Sequence, residues 1–156
     1  MAALNAEATA SHIPLLGRAA RVSHGLVIEH GAGMYSSPLL ARLGRDVLCV
    51  EGDPHWRAMA EGAQFVSLDE AIAALPSAGL VFIDGAQSER ARLLDAALAA
   101  GVPHIVAHDT HERCFTYYGW RPEHFTAPGY VVEHDVYRRK YRTTLWTKIL
   151  GVPFDP

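Results

Sequence analysis

Short apolar runs alternate along most of the chain with stretches in which apolar residues recur at helical spacing. The runs at 26–29, 47–51, 64–67, 80–84 and 104–108 carry few polar interruptions. That continuity predicts strands buried on both faces, as in a parallel sheet covered by helices. Helix starts are marked between them. Ser37-Pro38 predicts a cap and a first helical residue for a helix over 38–43, closed by Gly44. Asp53-Pro54 repeats the device, and Ser67-Leu68-Asp69-Glu70 reads as a capping box before 71–75. Ser88 is expected to open a helix over 89–100, which Gly101 and Pro103 close.

The end of the chain changes character. An aromatic, proline-containing stretch at 115–129 precedes two β-rich runs, 130–138 and 143–148. So short a link between them permits an antiparallel hairpin and excludes a parallel crossover. Residues 1–22 predict a helical segment lying over the edge of the first strand. The expectation is therefore an α/β chain: one domain over 1–156 with a core at 25–149. Its doubly wound sheet would have five parallel strands plus a C-terminal antiparallel β-hairpin.

Composition narrows the partners. A 156-residue chain, 49% apolar and 20% charged, can bury a core without disulfides or metals. Nothing in its net charge of −3 points to nucleic acid or an anionic membrane surface. The two cysteines, Cys49 and Cys114, form no CxxC pair, which suits a reducing, cytoplasmic setting, and Cys49 reads as a small buried hydrophobe. No basic segment precedes an apolar stretch at the N-terminus, and no run reaches membrane-spanning length. An open sheet edge or the hairpin offers a surface for a homodimer.

Gly31 and Gly33 follow the first strand and precede a helix, where glycines allow a tight turn and close approach of backbone to a ligand. Glu51 ends the second strand about twenty residues on, where a carboxylate can accept both ribose hydroxyls. Ser36 stands where a dinucleotide fingerprint has its third glycine. Glu29 precedes the loop, and a carboxylate there suits a cationic amino-acid tail better than a diphosphate.

On these residues the chain resembles the class I S-adenosylmethionine-dependent methyltransferases, a Rossmann-like family whose sheet ends in such a hairpin. Glu29-His30-Gly31-Ala32-Gly33, Val50-Glu51-Gly52-Asp53, Phe82-Ile83-Asp84-Gly85 and His108-Asp109-Thr110 follow the family's motifs in order. The resemblance implies that Gly31, Ala32 and Gly33 lie against the methionine moiety, with Tyr35, Ser36 and Ser37 covering the cofactor from the helix side. It implies that Glu51 holds the ribose beside Gly52 and Asp53, and that Ser67 and Leu68 flank the adenine. Asp69 is the one candidate for an adenine-contacting acid.

Three readings stand for the polar strand ends, where Asp84, Gln87, His108, Asp109, His111 and Glu112 are expected to meet. Asp84 or His108 acts as a general base. Alternatively, Asp84 and Asp109 ligate a divalent cation, as the resemblance to catechol-type members implies, with His111 or Glu112 completing the shell. Oxygen ligands would favour magnesium, while His108 or His111 would admit zinc or manganese. The third reading has these groups capping helices and bonding loops, with catalysis by orientation. His12, His55, His124 and His134 are expected to be exposed or locally hydrogen-bonded. Phe115, Tyr117, Tyr118 and Trp120 line an acceptor pocket or pack under the hairpin. Arg138, Arg139, Lys140 and Arg142 form a solvated turn or contact a phosphate-bearing substrate. The functional expectation is methyl transfer to a small-molecule or sugar-like acceptor. A non-catalytic cofactor-binding module and an NAD-linked oxidoreductase are the alternatives.

Overall fold

A computed structural model describes residues 10–137 and 141–150. Seven strands form one sheet in the order β3-β2-β1-β4-β5-β7-β6. The strands are β1 (Leu26–His30), β2 (Val47–Val50), β3 (Gln64–Phe65), β4 (Ala78–Ile83), β5 (His104–Ala107), β6 (Tyr130–Tyr137) and β7 (Tyr141–Lys148). The first five are parallel, and β7 runs antiparallel between β5 and β6. The expected parallel sheet and terminal hairpin are both present. Sheet order reverses between β1 and β4, and such a switch point opens a crevice at the carboxyl ends of the two strands.

Side-chain alternation divides the core. Val27, Leu80, Phe82, Val106 and Leu145 pack with Leu15, Leu16, Ala19 and Ala20 of α1 (Ile13–Val22) and Leu40 of α2 (Ser36–Arg42). Ile28, Val81, Ile83, Ile105 and Trp146 pack on the opposite face with Leu68 and Ala71 of α4 (Leu68–Ala74) and Leu93, Leu94 and Ala97 of α5 (Arg90–Ala99). The short α3 (Pro54–Arg57) follows β2, and α6 (Phe115–Tyr118) follows β5. With both faces covered, the central strands are apolar on both sides, which is why they read as unbroken runs.

Several expectations are corrected in detail. The N-terminal helix does not lie over the edge of β1; α1 packs across the sheet against β4, β5 and β7 because its apolar residues need a broad face. Residues 1–9 of that expected segment lie outside the described residues, as do Arg138, Arg139 and Lys140. Ser37 is not a cap: α2 begins at Ser36, and the Ser37 hydroxyl is turned inward. Ser88 does not cap α5, which begins at Arg90 after an uncapped Glu89. The third strand stops at Phe65 because Ser67 is committed to α4, where the expected capping box with Glu70 forms.

Candidate functional site

The switch point is built around backbone contact between the glycine loop and the end of β4. Gly31 sits at φ +90°, and a Cβ there would stand 2.5 Å from both N and Cα of Gly85. His30 fastens the same junction from the α5 face. Its Nδ1 accepts the Gly85 N–H at 3.2 Å while Nε2 bonds the Glu89 carboxylate at 2.9 Å. Burial, its largest influence, draws the His30 pKa down despite Glu89, so the neutral ring protonated on Nε2 satisfies both bonds.

Glu29, one residue earlier, faces the other way and is fully buried. The Ser37 hydroxyl lies 2.9 and 3.0 Å from its two oxygens and accepts the Gly33 N–H at 3.1 Å. Burial pushes the carboxyl up to about 7, against the opposing hydrogen bonds of Ser36 and Ser37. The expected free anion for a cationic tail is thus closed off, and Glu29 braces the loop through Ser37. Ser36 and Ser37 are likewise buried toward Glu29 rather than open as a cover, while Tyr35, just ahead of α2, is half-buried.

Beside this junction a cleft of about 360 Å³ lies along the carboxyl ends of β2 and β3. Glu51, Gly52, Ser67 and Leu68, all expected around the nucleoside, line it with Val50, Val66, Ala86 and Glu89. The Oε1 atom of Glu51 accepts the Asp53 N–H at 2.8 Å, and Asp53 in turn caps α3 through the His55 N–H. A Cβ on Gly52 would meet no protein atom within 4 Å, so this position borders open space. Asp69 does not line the cleft; its carboxylate pairs with Arg92 of α5.

At the ends of β4 and β5 the structure brings together Asp84, His108 and Asp109. His108 Nδ1 lies 3.3 Å from Asp84 Oδ1 and 3.8 Å from Asp109 Oδ2. Burial alone would lower the His108 pKa, but the Asp84 hydrogen bond and charge, with Asp109, outweigh it and raise it. Burial likewise favours a higher Asp84 pKa, yet His108 and Arg90 hold it below the ordinary carboxylate value. Asp109 adopts φ 55°, the one positive φ of a non-glycine residue among those described. Its carbonyl accepts Trp120 Nε1–H, and its carboxylate lies 3.5 Å from the Tyr118 hydroxyl.

Sequence reading missed three residues here. Arg90 is buried and bonds the carbonyls of Gly85, Asp84 and His108, with its Nη2 3.1 Å from Asp84 Oδ1. A cation in the first turn of a helix is disfavoured by the helix dipole, and that was its one signal. Ser11 Oγ lies 2.8 Å from His108 Nε2. His12, expected to be exposed or locally bonded, is 3% exposed with neither ring nitrogen hydrogen-bonded. Strand parity explains the meeting: Asp84 continues the Leu80–Phe82 series and His108 follows Val106, so both belong to the face that α1 covers.

The remaining candidates disperse. Gln87 and Glu112 are exposed, and His111 Nε2 contacts Cys114 Sγ at 3.3 Å. Phe115 stacks on Phe125, Tyr118 lies under Arg90 and Trp120 is buried, so three of the four aromatics pack while Tyr117 is exposed. Arg142 lies over the Phe125 ring and bonds the Thr110 carbonyl rather than standing free in the turn. His124 is buried, bonded locally to Arg121 N–H and across the chain to Asp95. Cys49 is buried as expected. An oxygen site on Asp84 and Asp109 does not fit. The close donor group among the described residues is His12, Asp84 and His108, and Asp109 is not part of it.

This arrangement, with its switch-point glycine loop, acidic end of β2 and hairpin strand β7 inserted beside β5, defines the class I S-adenosylmethionine-dependent methyltransferase fold. Solved structures of that fold superpose on the chain. An rRNA methylase from Streptococcus thermophilus matches with TM-score 0.62 at 9% identity, over 88% of this chain and 96% of its own. The N-methyltransferase NodS from Bradyrhizobium japonicum matches with TM-score 0.56 at 11% identity, over 88% and 94%. An RNA methyltransferase from Salinibacter ruber, in complex with S-adenosyl-L-homocysteine, matches with TM-score 0.51 at 18% identity, over 91% and 95%. The chain spans 58% of MtNAS and 41% of EvdMO1, two larger proteins with the same core. No protein-family model and no curated protein matches it. No described helix is long and apolar enough to cross a membrane.

Proposed function

We propose that this chain is a cytoplasmic enzyme that transfers a methyl group from S-adenosylmethionine to an oxygen or nitrogen of a small-molecule, sugar-like acceptor. The observation that carries the reading is the cleft lined by Glu51, Gly52, Ser67 and Leu68, opening beside the Gly31–Gly85 junction. Its volume suits a small ligand. When bound, the cofactor supplies an electrophilic methyl group on a sulfonium sulfur.

The chain's own residues bind and orient. Oε1 of Glu51 serves Asp53 N–H, leaving Oε2 to accept ribose hydroxyls. Gly52 lets backbone approach the nucleoside, Asp53 stands beside it, and Val66 and Leu68 give apolar contact to the adenine. The backbone of Gly31, Ala32 and Gly33 lies against the amino-acid tail, in a conformation fixed by Glu29 and Ser37. On the acceptor side, Asp84, His108 and Asp109 would orient the nucleophile toward the transferred methyl group, and such orientation lowers the barrier. The net charge of −3 favours a small acceptor over RNA, although RNA methyltransferases are among the structural neighbours.

Calorimetric titration with S-adenosylmethionine and its demethylated product is expected to show one site that Glu51→Ala weakens by more than tenfold. Absence of binding to the wild-type chain at millimolar concentration would overturn the proposal. Binding of NADH in its place, followed by fluorescence, would move it to the oxidoreductases.

A further inference from the structure

His12 is the least explained side chain in the fold. It is 3% exposed, neither nitrogen has a hydrogen-bond partner, and its ring sits 5.1 Å from that of His108 and 4.8 Å from that of Phe82. Burying two polar atoms unpaired is costly, and a buried imidazole serving only as filler would be better replaced by an apolar ring. The donor atoms around it belong to Asp84 and His108, and one from each of the three residues lies within 4.8 Å of the others.

We propose that His12, Asp84 and His108 form a binding site for a transition-metal cation of borderline character, zinc(II) in the first instance. Two imidazole nitrogens and one carboxylate oxygen are the donor set of open zinc sites and of other first-row metals, whereas magnesium and calcium select oxygen. Tetrahedral bonds of about 2.0–2.1 Å separate neighbouring ligand atoms by roughly 3.3 Å. The His108 Nδ1 to Asp84 Oδ1 distance is 3.3 Å.

The surroundings complete the picture. A ligating imidazole normally donates its other N–H to a fixed partner, and His108 Nε2 has Ser11 Oγ at 2.8 Å. Arg90 bonds the carbonyls of Asp84 and His108, which fixes the backbone of both ligands, and it also pairs with Asp84 Oδ1. Asp109 Oδ2, 3.8 Å from His108 Nδ1, stays outside the ligand set. The site uses none of the residues that line the cleft, but it shares Asp84 and His108 with the proposed acceptor side, so metal binding is measured apart from methyl transfer.

The test uses the full chain, stripped with chelator and titrated with zinc(II), cobalt(II) and magnesium(II) by calorimetry and visible absorption. Expected are one zinc ion per chain, a visible cobalt band of nitrogen-ligated tetrahedral type, and no magnesium binding at millimolar concentration. His12→Phe, which keeps the ring volume, and His108→Gln should each weaken zinc at least 100-fold and abolish the cobalt band. Circular dichroism of the stripped variants checks that they fold. Asp109→Asn should bind zinc within a few-fold of wild type. Zinc binding unchanged in a folded His12→Phe chain would assign the ion to other histidines and overturn the site. So would magnesium binding lost in Asp109→Asn, which would mark an oxygen site instead.

Discussion

Single residues at the switch point carry opposite burdens, and substitution separates them. Gly31 is in van der Waals contact with Gly85 at a φ that only glycine tolerates easily, so Gly31→Ala meets both a clash and a strained backbone. It is expected to cost about 3 kcal/mol or more by urea denaturation. Gly52→Ala has open space and no positive φ, so it should leave stability within about 1 kcal/mol while weakening S-adenosylmethionine in calorimetry. Glu29 supplies a pH signature. Around it stand Ser36 and Ser37, the carboxylates of Asp84 and Glu51, and the Cys49 thiol, with Arg45 and Glu61 across a small cavity. Its pKa rises from 4.5 to about 7, so below pH 4.5 both folded and unfolded chains keep the proton and folding suffers no penalty. As pH rises the unfolded chain releases that proton first, and native stability falls until the buried carboxyl ionises near 7. The full effect is about 3 kcal/mol. Compared with Glu29→Gln, wild type should therefore lose stability between pH 5 and 8. A stability difference that stays constant over that range would refute the assignment.

At the level of elements, what the sequence disclosed depended on whether the cause was local. The capping box of α4 was legible because all of its atoms belong to four consecutive residues, and Ser67 and Glu70 exchange the expected bonds. Ser67→Ala should cost about 1 kcal/mol in thermal or denaturant unfolding. Ser37 carried the same local signal and failed, because a buried Glu29 eight residues away competes for its hydroxyl. The central strands were legible from their unbroken apolar runs, and the hairpin from its short link. The position of α1 was not, since its buried residues are satisfied by any apolar surface, and the choice of β4, β5 and β7 is made by the assembled sheet. In the candidate site, the grouping of Glu51, Gly52, Ser67 and Leu68 was expected from the resemblance, and the four line one cleft. Ser11, His12 and Arg90 were not legible, because their partners are set by strand parity and by chain separations that no local pattern encodes.

Across the whole molecule, the reversal of sheet order between β1 and β4 gathers these features at one edge: the glycine loop, the cleft at the ends of β2 and β3, and the polar cluster beyond β4 and β5. The Gly31–Gly85 junction lies between the two sides, which face different helical layers, His30 toward α5 and Asp84 toward α1. A ligand in the cleft should consequently tighten the global fold rather than one loop, because the junction it covers ties β1 to β4. A ligand at 100 times its dissociation constant adds about 2.7 kcal/mol to a native state that alone binds it. In a chain of this size about 1 kcal/mol moves the melting temperature by roughly 2–4 °C. S-adenosylmethionine at that excess is therefore expected to raise the melting temperature by about 5–10 °C. Glu51→Ala should melt close to wild type without cofactor, since Glu51 is only partly buried, and should show a much smaller rise at the same cofactor concentration. An equal rise in both proteins would remove Glu51 from the cofactor site, and no rise in either would remove the site itself.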